Sequence, residues 1–288
     1  MNGDVLRKAL LACLPEQAIL TDPAGCLPYG YDNSRCQAQP DAVVFPTSHE
    51  QIVRLVHFCR DQRIPLTCRG YGTGTTGATV PIRGGIVLST ERFNRILEIH
   101  PEDRYAVVEP GVTNQQLQEA AGQAGFFWPP DPTSAAFCSI GGNLAYNSAG
   151  PRAVKYGTPR ENTLGLIAVT GSGETLKTGV YTTKGVVGYD LTRLLIGSEG
   201  TLGIITQATL KLTPTAQHIH TLRAIYRNVH AAARAVSAIM AQSVIPCALE
   251  FIDGQAIRII QDYSDIRFPE GSGAMLMIEV DGPLAGLR

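Results

Sequence analysis

A chain of 288 residues, 44% hydrophobic and 17% charged, can build a substantial core in one large domain or two ordinary ones. Its formal net charge of −1 gives no electrostatic case for nucleic acid or an acidic membrane surface. No apolar run approaches the roughly 20 residues that a membrane-spanning helix needs, and seven cysteines without a C-x-x-C pair argue against a disulfide framework, a zinc site or an iron–sulfur cluster in this chain.

The N-terminal MNGDVLRKALLACLPEQ spaces Val5, Leu6, Leu10 and Leu11 as a short amphipathic surface helix. It lacks the charge-then-apolar order of a signal peptide, so the expected location is cytoplasmic. From Asp41 the pattern becomes regular. Ala42–Phe45 is a strand, Thr47-x-x-Glu50 a capping box, and Ile52, Leu55, Val56 and Cys59 mark one face of a helix. Ile64–Cys68 and Gly85–Ser89 are two further strands, which completes a small parallel α/β unit. Tyr105–Glu109 then reads as a strand, and Thr113-x-x-Gln116 caps a helix carrying Leu117, Ala120, Ala121 and Ala124. Between Pro129 and Pro214 the chain reads as short strands between glycine-rich turns, with strands at 166–170 and 203–212. That is an α+β subdomain with a mostly antiparallel sheet. After Pro214 a β-α-β-α-β run follows: Thr221–Tyr226, Asn228–Gln242, Ala248–Ile252, Gln255–Tyr263 and Ala274–Val280.

Between the second and third strands stands CRGYGTGTTGATVP, residues 68–81. Gly72 to Gly77 matches the dinucleotide fingerprint G-x-G-x-x-G, but that motif needs a helix to begin inside it. Pro81, Gly84 and Gly85 rule the helix out. A Walker A loop fails as well, because Ala78 stands where its lysine belongs. Two readings remain for this stretch alone. One is a plain glycine-rich surface loop. The other is a strand–loop–strand anion nest, whose backbone N–H groups converge on a phosphate, with hydroxyls from Thr73, Thr75 and Thr76 and charge from Arg69. Gly74 is expected at positive φ with a cofactor packed against it, and so is Gly142.

Two more small-residue runs, Ser139–Gly150 with amides at Asn143 and Asn147, and Gly197–Gly203 leading into Ile204-Ile205, favour a long ligand lying against bare backbone. A flavin dinucleotide has that shape. RGYGTGTTG, PPDPTS, CSIGGNLAYNSAG, KYG, GYDLTRLLIGSEGTLGII and ALEFID together resemble the FAD-linked oxidases of the vanillyl-alcohol oxidase/p-cresol methylhydroxylase (PCMH) class. Within that class the likeness is to the FAD subunit of glycolate oxidase and its D-lactate dehydrogenase relatives. It runs from about Asp41 to the last strand, with the motifs in order.

The resemblance implies an α+β architecture: a PCMH-type two-subdomain FAD-binding fold over residues 41–216, after an N-terminal helical segment at 1–40. Residues 217–288 would be the first part of a ferredoxin-like cap. It implies a diphosphate site at Arg69, Gly70, Tyr71, Gly72, Thr73, Gly74 and Gly77. Pro130, Asp131, Ser134, Ser139, Gly141, Gly142, Asn143, Ala145 and Asn147 would line the cofactor, and Glu199, Gly200, Gly203, Ile204 and Ile205 its adenine and ribose side. No histidine or cysteine lies within the first loop, so the FAD is expected to be non-covalent. Thr75-Thr76 and Ser148-Ala149 are mild departures from the family pattern.

The implied reaction is oxidation of a small 2-hydroxy acid such as glycolate or D-lactate, and an iron–sulfur or other electron-transfer subunit is the partner it leaves room for. A peripheral place at the membrane would come through that partner. The family's histidine-containing cap segment and metal site have no counterpart here, so the chain is expected to hold the flavin half and the start of the cap. Apolar strand surface around Ala274–Val280 is then expected to lie uncovered. No metal site and no catalytic base are assigned; His49, His57 and His100 lie outside the cofactor loops, and His218 and His220 read as two positions on a strand face. Two alternatives stand beside this reading. One is an FAD-binding subunit that does not turn over by itself, and the other a UDP-sugar reductase or sugar-lactone oxidase on the same fold.

Overall fold

Contiguous apolar strands without polar alternation fit a sheet covered on both faces. In the computed structural model, which describes residues 3–182 and 184–283, Ala42–Val44 and Leu66–Arg69 both pair in parallel with Ile86–Ser89 between them. Ala42, Val43, Val44, Ile86, Val87 and Leu88 are completely buried. Ile19–Leu20 adds an antiparallel edge to this sheet, and the Gly3–Leu10 helix buries Leu6 and Leu10 while Val5 stays exposed.

The crossover helix His49–Gln62 buries Ile52, Leu55, Val56 and Cys59, the stripe expected from its period. Its cap differs from expectation by one residue. Ser48, not Thr47, is the N-cap; its hydroxyl accepts from the Gln51 N–H at 3.3 Å. Gln51 Oε1 turns back to accept the Thr47 N–H at 2.7 Å. Two adjacent cap-competent residues cannot be separated by pattern alone; the reach of Gln51 decides between them. Ser48→Ala is expected to cost about 1 kcal/mol in urea denaturation, and Thr47→Ala much less. Equal losses would return the cap to Thr47.

A second sheet has five strands, antiparallel throughout, in the order Ile96–His100, Tyr105–Val108, Ile204–Lys211, Thr163–Val169, Thr175–Gly179. The Asn114–Gln123 helix opens with the expected Thr113/Gln116 capping box. The stretch read as strands and turns also forms helices at Ile140–Tyr146, Ala153–Tyr156 and Leu191–Leu195. Gly141 and Gly142 mask the first of these, because glycine is a poor helix former. Burial of Ile140 and Leu144, with the Ser139 hydroxyl accepting the Gly142 N–H at 3.1 Å, overrides that preference.

Contacts group the chain into two units. The first comprises Met1–Trp128, Pro132–Ser148 and Pro159–Pro214; the second comprises Pro129–Asp131, Ala149–Thr158 and Thr215–Arg288. In the second, Ala274–Gly282 lies between His218–Tyr226 and Ala248–Asp253, antiparallel to both. Helices Val229–Met240 and Gly254–Tyr263 are capped by Asn228 and Asp253. Ala274, Met275 and Leu276 are buried, so the first half of the stretch expected to lie uncovered is covered, whereas Met277 on the same strand is exposed, as are Leu222 and Phe251 on its neighbours. Within the same unit the Tyr156 hydroxyl donates to Asp281 Oδ2 at 2.6 Å, and Lys155 pairs with Asp281 Oδ1. Burial, reinforced by the Asp281 carboxylate, holds the Tyr156 hydroxyl above its ordinary pKa.

Candidate functional site

The parallel strand Leu66–Arg69 runs directly into the glycine loop, and the loop returns through Gly84-Gly85 to Ile86–Ser89 without forming a helix. Loop residues 70–76 all line one cleft of the first unit. Among the described residues their backbone N–H groups make no hydrogen bond. Gly70, Gly72, Thr73 and Gly74 are half-buried, where N–H groups are almost always paired, so a run of unpaired donors on cleft-lining residues is a binding feature in search of an acceptor. Hydroxyls of Thr73, Thr75 and Thr76 stand beside them, and Thr75 Oγ1 lies 3.1 Å from the Tyr146 hydroxyl across the cleft.

The wall opposite the loop is the small-residue helix Ile140–Tyr146. Gly70 and Ser139 meet so closely that a Cβ built on Gly70 would lie 2.5 Å from Ser139 Oγ, which explains glycine at that position by close approach. Asn114 Nδ2 donates to Asn143 Oδ1 at 3.1 Å and so orients the Asn143 amide, which lines the cleft. The third wall comes from the Ser198–Gly200 turn and the start of the Ile204–Lys211 strand.

Of the residues expected at the site, the cleft brings together Arg69, Gly70, Tyr71, Gly72, Thr73, Gly74, Ser134, Ser139, Gly141, Gly142, Asn143, Ala145, Glu199, Gly200, Gly203, Ile204 and Ile205. Gly77, Pro130, Asp131 and Asn147 are not among its lining residues. Gly77 gives its N–H to Asp32 at 3.0 Å instead. Pro130 and Asp131 belong to the second unit, where burial raises the Asp131 pKa despite the nearby Arg152. Asn147 closes the Ile140–Tyr146 helix in the left-handed region, and its buried Oδ1 has no hydrogen-bond partner among the described residues.

Two details differ from the reading of the loop. Positive φ falls at Gly72 and Gly77, not at Gly74, and Gly142 is helical. The Arg69 guanidinium, expected to add charge, is 92% buried with its residue and donates to Tyr31 O at 2.7 Å and Pro28 O at 3.2 Å. Burial lowers its pKa from the ordinary value, with Asp32 acting in the opposite direction. Its work is to tether the loop.

Asp32, Cys68, Ala78, Thr79, Thr90, Pro110, Tyr146, Ser148 and Ser198 line the cleft without a sequence signal that marks them as cofactor residues, and the expected donors Thr75 and Thr76 line it too. The Asp32-x-Ser34 spacing is an Asx-turn signal that was available in the sequence. The histidines considered for chemistry stay apart: His49 bridges the Thr206 and Thr175 hydroxyls at 2.9 and 2.7 Å, and His49, His57 and His100 do not line the cleft. His100, half-buried, and the exposed Glu102 and Asp103 bring ligand atoms within 4.8 Å of one another, and none of the three lines the cleft.

Residues 40–179 match the family described as FAD binding domain, and residues 215–286 the family described as FAD linked oxidases, C-terminal domain. The chain belongs to the FAD-linked oxidases. FAD is the cofactor of this family domain, and the donor set of the cleft, backbone N–H groups and hydroxyls without a competing carbonyl partner, fits an anionic diphosphate. Glycolate oxidase subunit GlcD of Bacillus subtilis is 45% identical over 261 residues, 90% of this chain and 56% of that protein. Its counterpart of the same name in Escherichia coli K12 is 37% identical over 284 residues, 97% of this chain and 57% of that protein. D-lactate dehydrogenase of Archaeoglobus fulgidus is 38% identical over 243 residues, 84% of this chain and 54% of that protein. The chain thus spans somewhat more than half the length of these FAD-linked oxidases. A solved structure of alkyldihydroxyacetonephosphate synthase superimposes with a TM-score of 0.84 at 23% identity over 98% of this chain and 57% of that one, which shows the shared PCMH-type fold. Among the described residues no helix is long and apolar enough to cross a membrane.

Proposed function

We propose that this protein binds FAD non-covalently in the cleft and serves the oxidation of a small 2-hydroxy acid of the glycolate or D-lactate type. The observation that carries the reading is the run of unpaired N–H groups at residues 70–76 lining the same cleft as Ser139–Asn143 and Glu199–Ile205. The loop would hold the diphosphate, as an anion nest does without a helix. The Asn143 amide, held by Asn114, would bond a polar edge of the cofactor. Ile204 and Ile205 would keep water from one of its faces. Bound FAD supplies the acceptor for the hydride that leaves the substrate α-carbon.

Cys68 is the cysteine that lines the cleft among the described residues, and burial pushes its thiol up to about 12. It therefore stays a protonated thiol at neutral pH, a poor nucleophile for attachment to a flavin. The names of the relatives support the substrate class. The word "subunit" in two of them supports an electron-transfer partner, an iron–sulfur subunit or another, and the second reading, an FAD-carrying subunit without turnover of its own.

Acid denaturation of the purified yellow protein is expected to release all of its flavin, and anaerobic mixing of this chain alone with glycolate or D-lactate is expected to leave the bound flavin almost unreduced, because the chain offers no assigned base for the substrate hydroxyl and no assigned cation for its carboxylate. Colour retained on the denatured chain would refute non-covalent binding. Rapid full bleaching by either acid would show that residues 1–288 already contain a competent site and would overturn that expectation.

A further inference from the structure

The glycine loop is gripped from behind by a hairpin that precedes residue 40, where the FAD-binding family match begins. Tyr31 and Gln37 form an antiparallel bridge, and the Ala38 N–H bonds Gly30 O at 2.9 Å. At the tip, Asp32 Oδ1 accepts the Ser34 N–H at 2.9 Å, an Asx turn that orients the carboxylate. Its other oxygen, Oδ2, accepts the Gly77 N–H at 3.0 Å and the Thr79 hydroxyl at 3.3 Å. Asn33 adds two bonds to loop carbonyls: its backbone N–H to Gly74 O at 3.0 Å and its Nδ2 to Thr73 O at 3.3 Å. The Arg69 guanidinium closes the grip by bonding Pro28 O and Tyr31 O of the same hairpin. Asp32 itself is 5% exposed.

We infer that Asp32 is a positioning residue for the cofactor: through Gly77 and Thr79 it holds the glycine loop in its binding form before FAD arrives. The inference rests on the reading of residues 70–76 as the diphosphate site. Glycine-rich backbone has many conformations to lose, and the free N–H groups of this loop contribute nothing to holding it. The carbonyls of Thr73 and Gly74 and the far end at Gly77–Thr79 are all bonded to the hairpin, so the loop backbone that lines the cleft is fixed from the side away from its unpaired N–H groups. Without that grip only a fraction of molecules would present the site, and the apparent dissociation constant rises by the inverse of that fraction. A carboxylate so close to a diphosphate would weaken binding unless its charge is spent elsewhere. Here its oxygens accept bonds from Ser34, Gly77 and Thr79, and Arg69 lies beside it.

Asp32→Asn keeps the size of the side chain and replaces one acceptor oxygen by a donor. Apoprotein of the wild type and of this variant would be titrated with FAD and with riboflavin, which lacks the diphosphate, and melted in parallel. The expected result is an FAD dissociation constant raised at least tenfold, with the riboflavin constant and the melting temperature close to wild type. Thr79→Val, which removes a single hydroxyl donor, should raise the FAD constant roughly fivefold, the fold-change equivalent to about 1 kcal/mol for one hydrogen bond. Unchanged FAD affinity in both variants overturns the inference. So does a loss of FAD and riboflavin binding in equal measure with a collapsed melting temperature in both, since that marks a purely structural residue. Wild-type apoprotein that binds no FAD overturns the site reading itself, and this inference with it.

Discussion

Gly72→Val is expected to give a protein that no longer binds FAD at any practical concentration. Gly72 has φ +72°, in the left-handed region that a β-branched residue adopts only under strain. A Cβ at this position would also lie 2.5 Å from Arg69 Cζ and 2.7 Å from Arg69 Nη1. The end of an arginine is ordinarily free to swing aside. This one is not, because Tyr31 O, Pro28 O and Thr79 Oγ1 hold it in a buried position. The new side chain must therefore either expel the guanidinium or move the loop, and both release the grip on residues 70–76. Overpacking and strain together should lower stability by about 2–4 kcal/mol. Gly74→Ala is the control: its φ is not positive and a Cβ there meets nothing within 4 Å, so apoprotein stability should stay within about 0.5 kcal/mol of wild type. Any loss of flavin affinity in that variant then reports a cofactor packed against residue 74. Flavin titration followed by fluorescence quenching reads both. Gly72→Val protein that takes up FAD like the wild type would place the diphosphate elsewhere.

Asp281→Ala is expected to cost about 3 kcal/mol, measured by denaturant unfolding. The Asp281 side chain is only 6% exposed, and its removal leaves the Tyr156 hydroxyl without its 2.6 Å acceptor and Lys155 without its counter-ion. Breaking a buried pair by deleting one partner costs about 3–5 kcal/mol. The lower end applies because Lys155 keeps 30% of its side chain in water. The segment Ala149–Thr158 should lose hydrogen-exchange protection first, since these bonds tie it to the Ala274–Gly282 strand. Asp281→Asn, which keeps an acceptor for Tyr156 but not the charge, should lose less by about 1 kcal/mol, the share of one hydrogen bond. Equal effects from the two substitutions would assign the stability to the ion pair and not to the tyrosine bond.

The order of elements was legible along most of the chain because it rests on short-range signals. Period-2 and period-3.6 apolar spacing located the parallel unit, the antiparallel strands and the β-α-β-α-β run, and the Thr113/Gln116 pair located its helix start to the residue. Pro81, Gly84 and Gly85 were enough to deny the glycine loop a helix and so to remove the dinucleotide-fold reading. Short-range signals failed where two cap residues stood side by side, at Thr47 and Ser48, and where glycines hid the helix Ile140–Tyr146.

What the loop does with its atoms depends on long-range contacts. The direction of a glycine-rich backbone is set by whatever bonds it, and here those partners are remote in sequence. Tyr31 O is 38 residues from Arg69, and Asp32 is 45 from Gly77. Local glycine and proline signals were therefore enough to show a glycine loop joining two parallel strands, whereas contacts remote in sequence turn Arg69 and Gly77 back to the hairpin and leave the N–H groups of the cleft-lining residues 70–76 without a partner among the described residues.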